Sequence, residues 1–135
     1  MRTIKFRGKR LDSGEWVYGD IVMFRYEAYI TIEAYKDDGL YFGECIVRPD
    51  TVGQFTGLFD KNGNEIYEGD IIKEDNLIHK ILWIDEASAF CRCDLKDACI
   101  RYRISRDAMS YVKVVGNIHD NPEMIKKGGN NGHQS

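Results

Sequence analysis

Apolar and polar residues alternate with a period of two along most of this chain. Between residues 28 and 35, for example, Ala28, Ile30 and Ile32 alternate with Tyr29, Thr31 and Glu33. Successive side chains of a β-strand point to opposite faces of a sheet, so this period predicts strands. The same pattern predicts further strands at residues 2–9, 40–47, 69–73, 77–84, 89–95, 98–104 and 111–116. The chain is therefore expected to adopt a mainly β structure.

Turn-forming and helix-capping residues separate the predicted strands. Asp37-Asp38-Gly39 lies between two strand-like runs, which is typical of a β-hairpin whose tight turn needs positive φ. Ser105 is a suitable N-cap for a short helical turn. Asn121 followed by Pro122 predicts a second helix, because proline suits the first helical position. This C-terminal helix is expected to continue to about Lys127.

A change in composition near residue 50 divides the chain. Pro49 follows the strand that ends at Val47, and a glycine-rich block extends from residue 53 to residue 69. A chain of 135 residues can form one domain or two small β modules. The predicted organisation is an N-terminal β module at residues 1–50, a second β domain with a short terminal helix at residues 51–127, and a flexible tail at residues 128–135.

A short motif occurs twice in the chain. Residues 16–22 read Trp-Val-Tyr-Gly-Asp-Ile-Val, and residues 66–72 read Ile-Tyr-Glu-Gly-Asp-Ile-Ile. Glycine relieves backbone strain where a strand begins or bulges, and aspartate accepts hydrogen bonds from nearby backbone amides. We therefore predict that both Gly-Asp pairs start a strand. The other interpretation is a binding role, with a tyrosine and a carboxylate displayed twice.

The second copy belongs to a longer block that resembles a known family. The block Gln54-Phe-Thr-Gly-Leu-Phe-Asp-Lys-Asn-Gly-Asn-Glu-Ile-Tyr-Glu-Gly-Asp-Ile-Ile72 resembles the signature of the YopX family of phage and prophage proteins. The closing Val114-Val-Gly-Asn-Ile-His-Asp-Asn-Pro-Glu-Met124 is similar to the same family, as is the opening Ile4-Lys-Phe-Arg7 with Trp16-Val-Tyr-Gly-Asp-Ile21. The resemblance covers residues 3 to about 125.

The resemblance implies both an architecture and an origin. It implies a mainly β fold in which an N-terminal β-hairpin and strand module packs on a C-terminal SH3-like barrel, followed by a short C-terminal helix. It also implies an accessory protein encoded by a bacteriophage or a prophage. It implies no catalytic, cofactor-binding or metal-binding residues for this chain.

The composition predicts a cytoplasmic protein, and the family resemblance implies that the cell is a bacterial host. The N-terminus has no apolar stretch behind its charges, which argues against a secretory signal, and no apolar run is long enough to span a membrane. The four cysteines are therefore expected to be reduced thiols. The net charge of −3 gives no overall attraction to nucleic acid or to an acidic membrane surface.

Three cysteines could contribute to a zinc site. Cys91, Cys93 and Cys99 lie close together in the sequence, and His79 or His119 could complete the set. Tetrahedral zinc takes four thiolate or imidazole ligands, but structural sites usually place them in two pairs on turns. Cys91 and Cys93 fall instead in an apolar stripe, where a free cysteine behaves as a small hydrophobe. Core packing is the preferred interpretation, so no metal and no cofactor are predicted.

Basic residues on two predicted strands suggest nucleic-acid binding as an alternative function. The possible contacts are Lys5, Arg7, Lys9, Arg101 and Arg103. With exposed tyrosines such as Tyr29 and Tyr35, they could form a basic aromatic platform. Alternation predicts that the two arginines of the second strand share one face, with Ile100, Tyr102 and Ile104 on the other. The competing interpretation is a solvated sheet face whose arginines prevent edge pairing.

Carboxylates are plentiful between residues 60 and 75, but no motif indicates catalysis. The candidates are Asp60, Glu65, Glu68, Asp70, Glu74 and Asp75. There is no nucleophile elbow, phosphate-binding glycine loop or paired-histidine metal motif. A metal-dependent enzyme is therefore the least favoured class, and no catalytic residues are predicted.

The favoured hypothesis is a protein-interaction module that binds a host or phage protein and forms a small homo-oligomer. The first half of the chain holds more aromatic rings than one small core can hide, and exposed rings favour interfaces. These residues are Tyr26, Tyr29, Tyr35, Tyr41 and Phe42.

Overall fold

The computed structural model describes residues 2–36 and 39–125, and within them the fold is mainly β, as predicted. The first half contains β1 (Phe6–Lys9), β2 (Trp16–Phe24), β3 (Glu27–Lys36), β4 (Gly39–Val47) and β5 (Gly53–Phe59). The second half contains β6 (Glu65–Tyr67), β7 (Asp70–Glu74), β8 (Leu77–Ile84), β9 (Ala89–Asp94), β10 (Arg101–Arg103) and β11 (Lys113–Asn117). The helices are α1 (Arg106–Met109) and α2 (residues 122–125), and Pro49–Thr51 and Asp85–Ala87 form 3-10 turns.

The chain divides into two compact units between Phe55 and Thr56. Unit 1 comprises the residues up to Phe55, and unit 2 comprises those from Thr56 onwards. The predicted boundary near residue 50 precedes this division, and the predicted tail at residues 128–135 lies outside the described residues.

Unit 1 is an antiparallel sheet in which the strands follow the order β4-β3-β2-β1-β5. Its core consists of Ala28, Ile30 and Val47, which are at most 1% exposed. The alternation in β3 thus buries the residues that the period of two predicts. β3 and β4 pair from Lys36 opposite Gly39 onwards, as the predicted hairpin requires, while Asp37 and Asp38 of its turn lie outside the described residues.

Unit 2 contains an antiparallel sheet with the order β10-β9-β8-β7-β11 among the described strands. One face of this sheet contributes Ile72 and Ile81 to a core cluster. The opposite face carries a second cluster of Ile84, Cys91 and Cys93. The SH3-like barrel expected for this half stays a prediction.

Both predicted helices form, but only the first has its expected cap. Ser105 Oγ accepts a hydrogen bond from the N–H of Ala108 at 3.1 Å, so it caps α1 as predicted. α2 begins at Pro122, whereas Asn121 Oδ1 accepts from the preceding turn instead of from the helix. The predicted end near Lys127 lies outside the described residues. In the part of the chain that is described, no helix has the length and apolar character needed to cross a bilayer.

β10 is shorter than the predicted strand at residues 98–104 because side chains hold the preceding residues in turns. Asp94 Oδ2 accepts hydrogen bonds from the N–H groups of Lys96 at 3.0 Å and Asp97 at 3.1 Å. Asp97 Oδ1 accepts from the N–H of Cys99 at 2.9 Å. Local acceptors of this kind compete with the sheet for backbone donors, so pairing begins only at Arg101.

Candidate functional site

The carboxylate of Asp60 joins a turn of the 54–72 block to β11. Asp60 is 5% exposed, and its Oδ1 accepts from the N–H of Asn62 at 2.9 Å and of Asn64 at 2.8 Å. Its Oδ2 accepts from the N–H of Val114 at 3.0 Å. Burial opposes the charged form, but the hydrogen bonds outweigh it, and the pKa of Asp60 lies below its ordinary value. This carboxylate is therefore committed to the fold.

The second Gly-Asp pair forms the turn that starts β7. Gly69 has a φ of +94°, a conformation that side-chain-bearing residues rarely adopt. Asp70 is 2% exposed, and its Oδ2 accepts from the N–H of Tyr67 at 2.7 Å. The hydroxyl of Tyr67 donates to Glu65 Oε1 at 3.0 Å. The predicted structural role of this copy is confirmed.

The first Gly-Asp pair has a different role, so the prediction that it starts a strand is wrong. Gly19 lies inside β2, and a Cβ there would overlap with the backbone oxygen of Thr31 on β3. Asp20 is exposed. Gly19 therefore permits a close approach of two strands, which the dipeptide alone does not distinguish from a turn.

Amide side chains hold the turn between β11 and α2. Asn117 Oδ1 accepts from the N–H groups of His119 at 3.0 Å and Asp120 at 2.8 Å. Asn121 Oδ1 accepts from the N–H of Asn117 at 3.1 Å. A Cβ at Gly116 would overlap with the side chain of Asn121. The family-like residues between 114 and 124 thus shape a turn.

The structure does not bring together the cysteines and His79 that were considered as zinc ligands. Cys91 and Cys93 are 1% and 0% exposed and pack in the cluster with Ile84, which confirms the core interpretation. His79 lies on the opposite face of the sheet, because the register pairs Lys80 with Cys93. Cys99 is exposed, and all four cysteines of the chain are free thiols. Among the described residues no group of three potential ligands could hold a metal ion.

His79 belongs to a partly buried polar cluster on the sheet of unit 2. Arg92 Nη2 lies 3.3 Å from His79 Nδ1, and Arg92 Nη1 lies 3.1 Å from Glu74 Oε1. Burial and the charge of Arg92 lower the pKa of His79, while the charges of Asp94 and Glu74 act in the opposite direction. The imidazole is therefore held neutral beside the guanidinium.

We expect this cluster to make the stability of the protein depend on pH. Because the folded pKa of His79 is lowered, its contribution to stability is present above the unfolded pKa of about 6.5 and is lost as pH falls through the folded pKa. His79→Gln should remain as stable as the wild type at neutral pH and lose less stability on acidification to about pH 5. Urea unfolding at both pH values measures the difference. An unchanged loss on acidification would contradict this role.

The structure places the proposed basic contacts of unit 1 against aromatic rings. Arg7 is 6% exposed, and its Cζ lies 4.6 Å from the centroid of the Trp16 ring. Lys9 Nζ lies 5.7 Å from the same centroid, and Lys5 Nζ lies 5.5 Å from that of Phe55. These cations contribute to packing through their attraction to the ring faces. Their role in nucleic-acid binding stays a prediction.

The arginines of β10 lie on the sheet face of the buried cysteines. The register pairs Arg101 with Cys93 and Arg103 with Cys91, whereas Tyr102 pairs with Arg92 and is 64% exposed. As predicted, the two arginines share one face and Tyr102 lies on the other, which is the face of Ile81 and its core cluster. The arginines lie over the apolar cluster of Cys91 and Cys93. Long arginine stems can do this while their charged ends reach polar groups. Arg103 Nη2 donates to the Ala87 carbonyl at 2.7 Å.

Exposed apolar side chains gather where β2 and β3 join, and we call this group the apolar hairpin tip. It consists of Val22, Met23, Phe24 and Tyr26, which are 44%, 59%, 59% and 93% exposed. Phe24 pairs with Glu27, so Arg25 and Tyr26 form the loop. Arg25 has a φ of +57°, and its Cζ lies 5.3 Å from the Phe24 centroid. Val22 and Phe24 lie on one face of the hairpin and Met23 on the other, and an exposed apolar tip of this kind can dock on another protein.

The sequence analysis identified only part of this tip. Tyr26 was among the aromatic residues expected at an interface, but Met23 and Phe24 were not. The available signal was the unbroken run Ile21-Val-Met-Phe24, where the alternation of β2 ends. Tyr29 is half-buried, and the side chains of Tyr35, Tyr41 and Phe42 lie outside the described residues.

Comparisons with known proteins show the family and the fold. A family model described as YopX protein matches residues 5–126. The chain is similar to a solved structure, the crystal structure of protein EF1440 from Enterococcus faecalis, with 22% identity and a TM-score of 0.62. That similarity covers 93% of this chain and 99% of the other, and at this identity it shows the fold alone. No curated protein matches the chain.

Proposed function

The chain belongs to the YopX family, and on that premise we propose that it is a non-enzymatic protein-interaction module. The observation that carries the proposal is the apolar hairpin tip, where Tyr26 is 93% exposed and Met23 and Phe24 are each 59% exposed. Aromatic residues, methionine and arginine are the types enriched at protein interfaces. The partner is a host or phage protein with an apolar recess for these side chains.

The conformation of the loop supports the proposal. Arg25 is a non-glycine residue with positive φ, and such strain persists only where the surrounding structure fixes it. The paired strands on either side fix the tip, because Phe24 opposes Glu27 and Met23 opposes Ala28. A rigid tip loses little conformational entropy on binding.

The burial and hydrogen bonding of two acidic residues argue against an acid–base enzyme. Asp60 and Asp70, two of the candidate carboxylates, are buried and accept hydrogen bonds from backbone amides. A general base needs a carboxylate that can reach a substrate proton. The proposal therefore assigns no catalytic residue.

The proposal also includes four finer features that the sequence and its family resemblance predict. They are an origin in a phage or prophage, action in the cytoplasm of the bacterial host, an SH3-like barrel in the second half and assembly into a small homo-oligomer. The meander of β7 to β10 with β11 beside β7 is consistent with such a barrel.

Site-specific photo-crosslinking in bacterial cells tests the interaction. A photoreactive phenylalanine analogue at position 26 should give a discrete adduct with one partner, which mass spectrometry identifies. The same analogue at Tyr111, which is 62% exposed in unit 2, is the matched control and should give none. Excess wild-type protein should suppress the adduct, and the Phe24→Ser variant should not. Equal adducts from both positions would contradict the proposal.

A further inference from the structure

We propose that β4 is the homo-oligomer interface and that it pairs antiparallel with β4 of a second copy across a two-fold axis. This assignment rests on the proposed self-association and adds the surface that forms it. β4 is the last strand of its sheet, with β3 as its neighbour on one side. On the other side, the described residues pair with it only at its end, where Arg10 bridges Val47.

Three residues of β4 have backbone N–H and C=O groups that point towards the open side of the strand. The Ile46 carbonyl accepts from the N–H of Leu11 at 3.0 Å, and the N–H of Arg48 donates to the Lys9 carbonyl at 2.8 Å. The backbone N–H and C=O groups of even-numbered residues therefore point away from β3, since these groups alternate in direction along an antiparallel strand. By the same parity, Leu40, Phe42 and Glu44 present their N–H and C=O groups at this edge.

The other outer strands of the two sheets are protected against such pairing. β10 has three residues, two of them arginines. β6, which follows β5 as the last strand of the sheet that begins with β4, also has three residues. β11 has a register shift between Val114 and Gly116. Short length, charge and bulges are the devices that block strand addition at sheet edges.

β4 is longer than these strands, has no register shift and carries a single charge. It has nine residues in unbroken register with β3, and its sequence, Gly-Leu-Tyr-Phe-Gly-Glu-Cys-Ile-Val, contains one charge. The two glycines are exposed. A hollow of about 470 Å³, lined in part by Leu11, Glu44 and Ile46, lies at this edge. The edge is thus open to an added strand.

The arrangement of groups fits a second copy. With the two-fold axis at Phe42, this residue faces itself, Leu40 faces Glu44 of the copy, and Glu44 faces Leu40 of the copy. All three N–H groups that point away from β3 then find carbonyl partners across the axis. The single carboxylate does not oppose its equivalent, so the pairing involves no like-charge contact across the edge.

Proline at position 42 tests the pairing. Because the N–H of Phe42 points away from β3, Phe42→Pro removes one outward donor from each copy and no hydrogen bond to β3. The wild type should sediment as a dimer at micromolar concentration, and Phe42→Pro should raise the dissociation constant about 100-fold. Phe42→Val keeps the N–H and should stay dimeric. An unchanged near-UV circular dichroism spectrum would show that the fold of the proline variant is retained.

Hydrogen exchange provides a second readout that needs no variant. Protection of the amides of Leu40, Phe42 and Glu44 should increase with protein concentration, while that of odd-numbered β4 amides should not. A monomeric wild type would overturn self-association itself. A dimer that withstands Phe42→Pro, is lost in Phe42→Val or shows no protection at these amides would overturn only the assignment to β4.

Discussion

Replacing Asp60 with alanine is expected to lower the free energy of unfolding by about 3 kcal/mol, because backbone donors would lose a buried acceptor. The N–H groups of Asn62, Asn64 and Val114 all point at this carboxylate. Its removal would detach the turn from β11. Chemical unfolding followed by tryptophan fluorescence measures the loss.

The matched control is Glu86→Ala, which removes an exposed acid in the same unit. Its effect should stay within about 0.5 kcal/mol. The pKa of Asp60 is lowered in the folded state, so its stabilisation is present above the unfolded pKa of about 3.9 and is lost as pH falls through the folded pKa. The difference between wild type and Asp60→Ala should therefore shrink in strong acid. Equal stability of the two proteins at neutral pH would refute the structural role of Asp60.

Gly19→Ala should destabilise unit 1 by about 3 kcal/mol, because the added methyl overlaps with backbone and no side chain can move aside. The obstacle is the carbonyl oxygen of Thr31 on β3. To remove this overlap, β2 and β3 would have to separate where Asp20 pairs with Thr31. Thermal unfolding measures the effect.

Gly43→Ala is the matched control on β4 of the same unit. A Cβ at Gly43 would lie 3.9 Å from Ile32 Cγ1, which is an ordinary contact. This variant should match or slightly exceed the wild type in stability, since alanine restricts the unfolded chain more than glycine does. If the two variants behaved alike, the close approach at Gly19 would not be the reason for the glycine.

The sequence predicts the secondary structure well where local chemistry determines it. β8 has the predicted bounds, and Ser105 caps α1 through its own hydroxyl. Gly69 and Asp70 form the expected turn because positive φ and a nearby carboxylate act within a few residues. In each case the contacts that determine the structure join residues close together in the sequence, so the local sequence is sufficient to predict them.

Features that depend on the register between strands were predicted less well. Gly19 looks like Gly69 in sequence, but its role follows from Thr31 on the neighbouring strand. The apolar hairpin tip was predicted only in part, because an apolar run at the end of a strand is equally compatible with a buried and with an exposed position.

The central claim is that the family-like motifs build the fold, whereas the apolar hairpin tip binds the partner. The most direct test places the photoreactive analogue at position 26 in wild-type and Phe24→Ser backgrounds and measures the free energy of unfolding of both. We expect Phe24→Ser to change stability by less than about 0.5 kcal/mol and to abolish the adduct, since Phe24 is exposed. An undiminished adduct in the Phe24→Ser background, or its loss together with the fold, would contradict the claim.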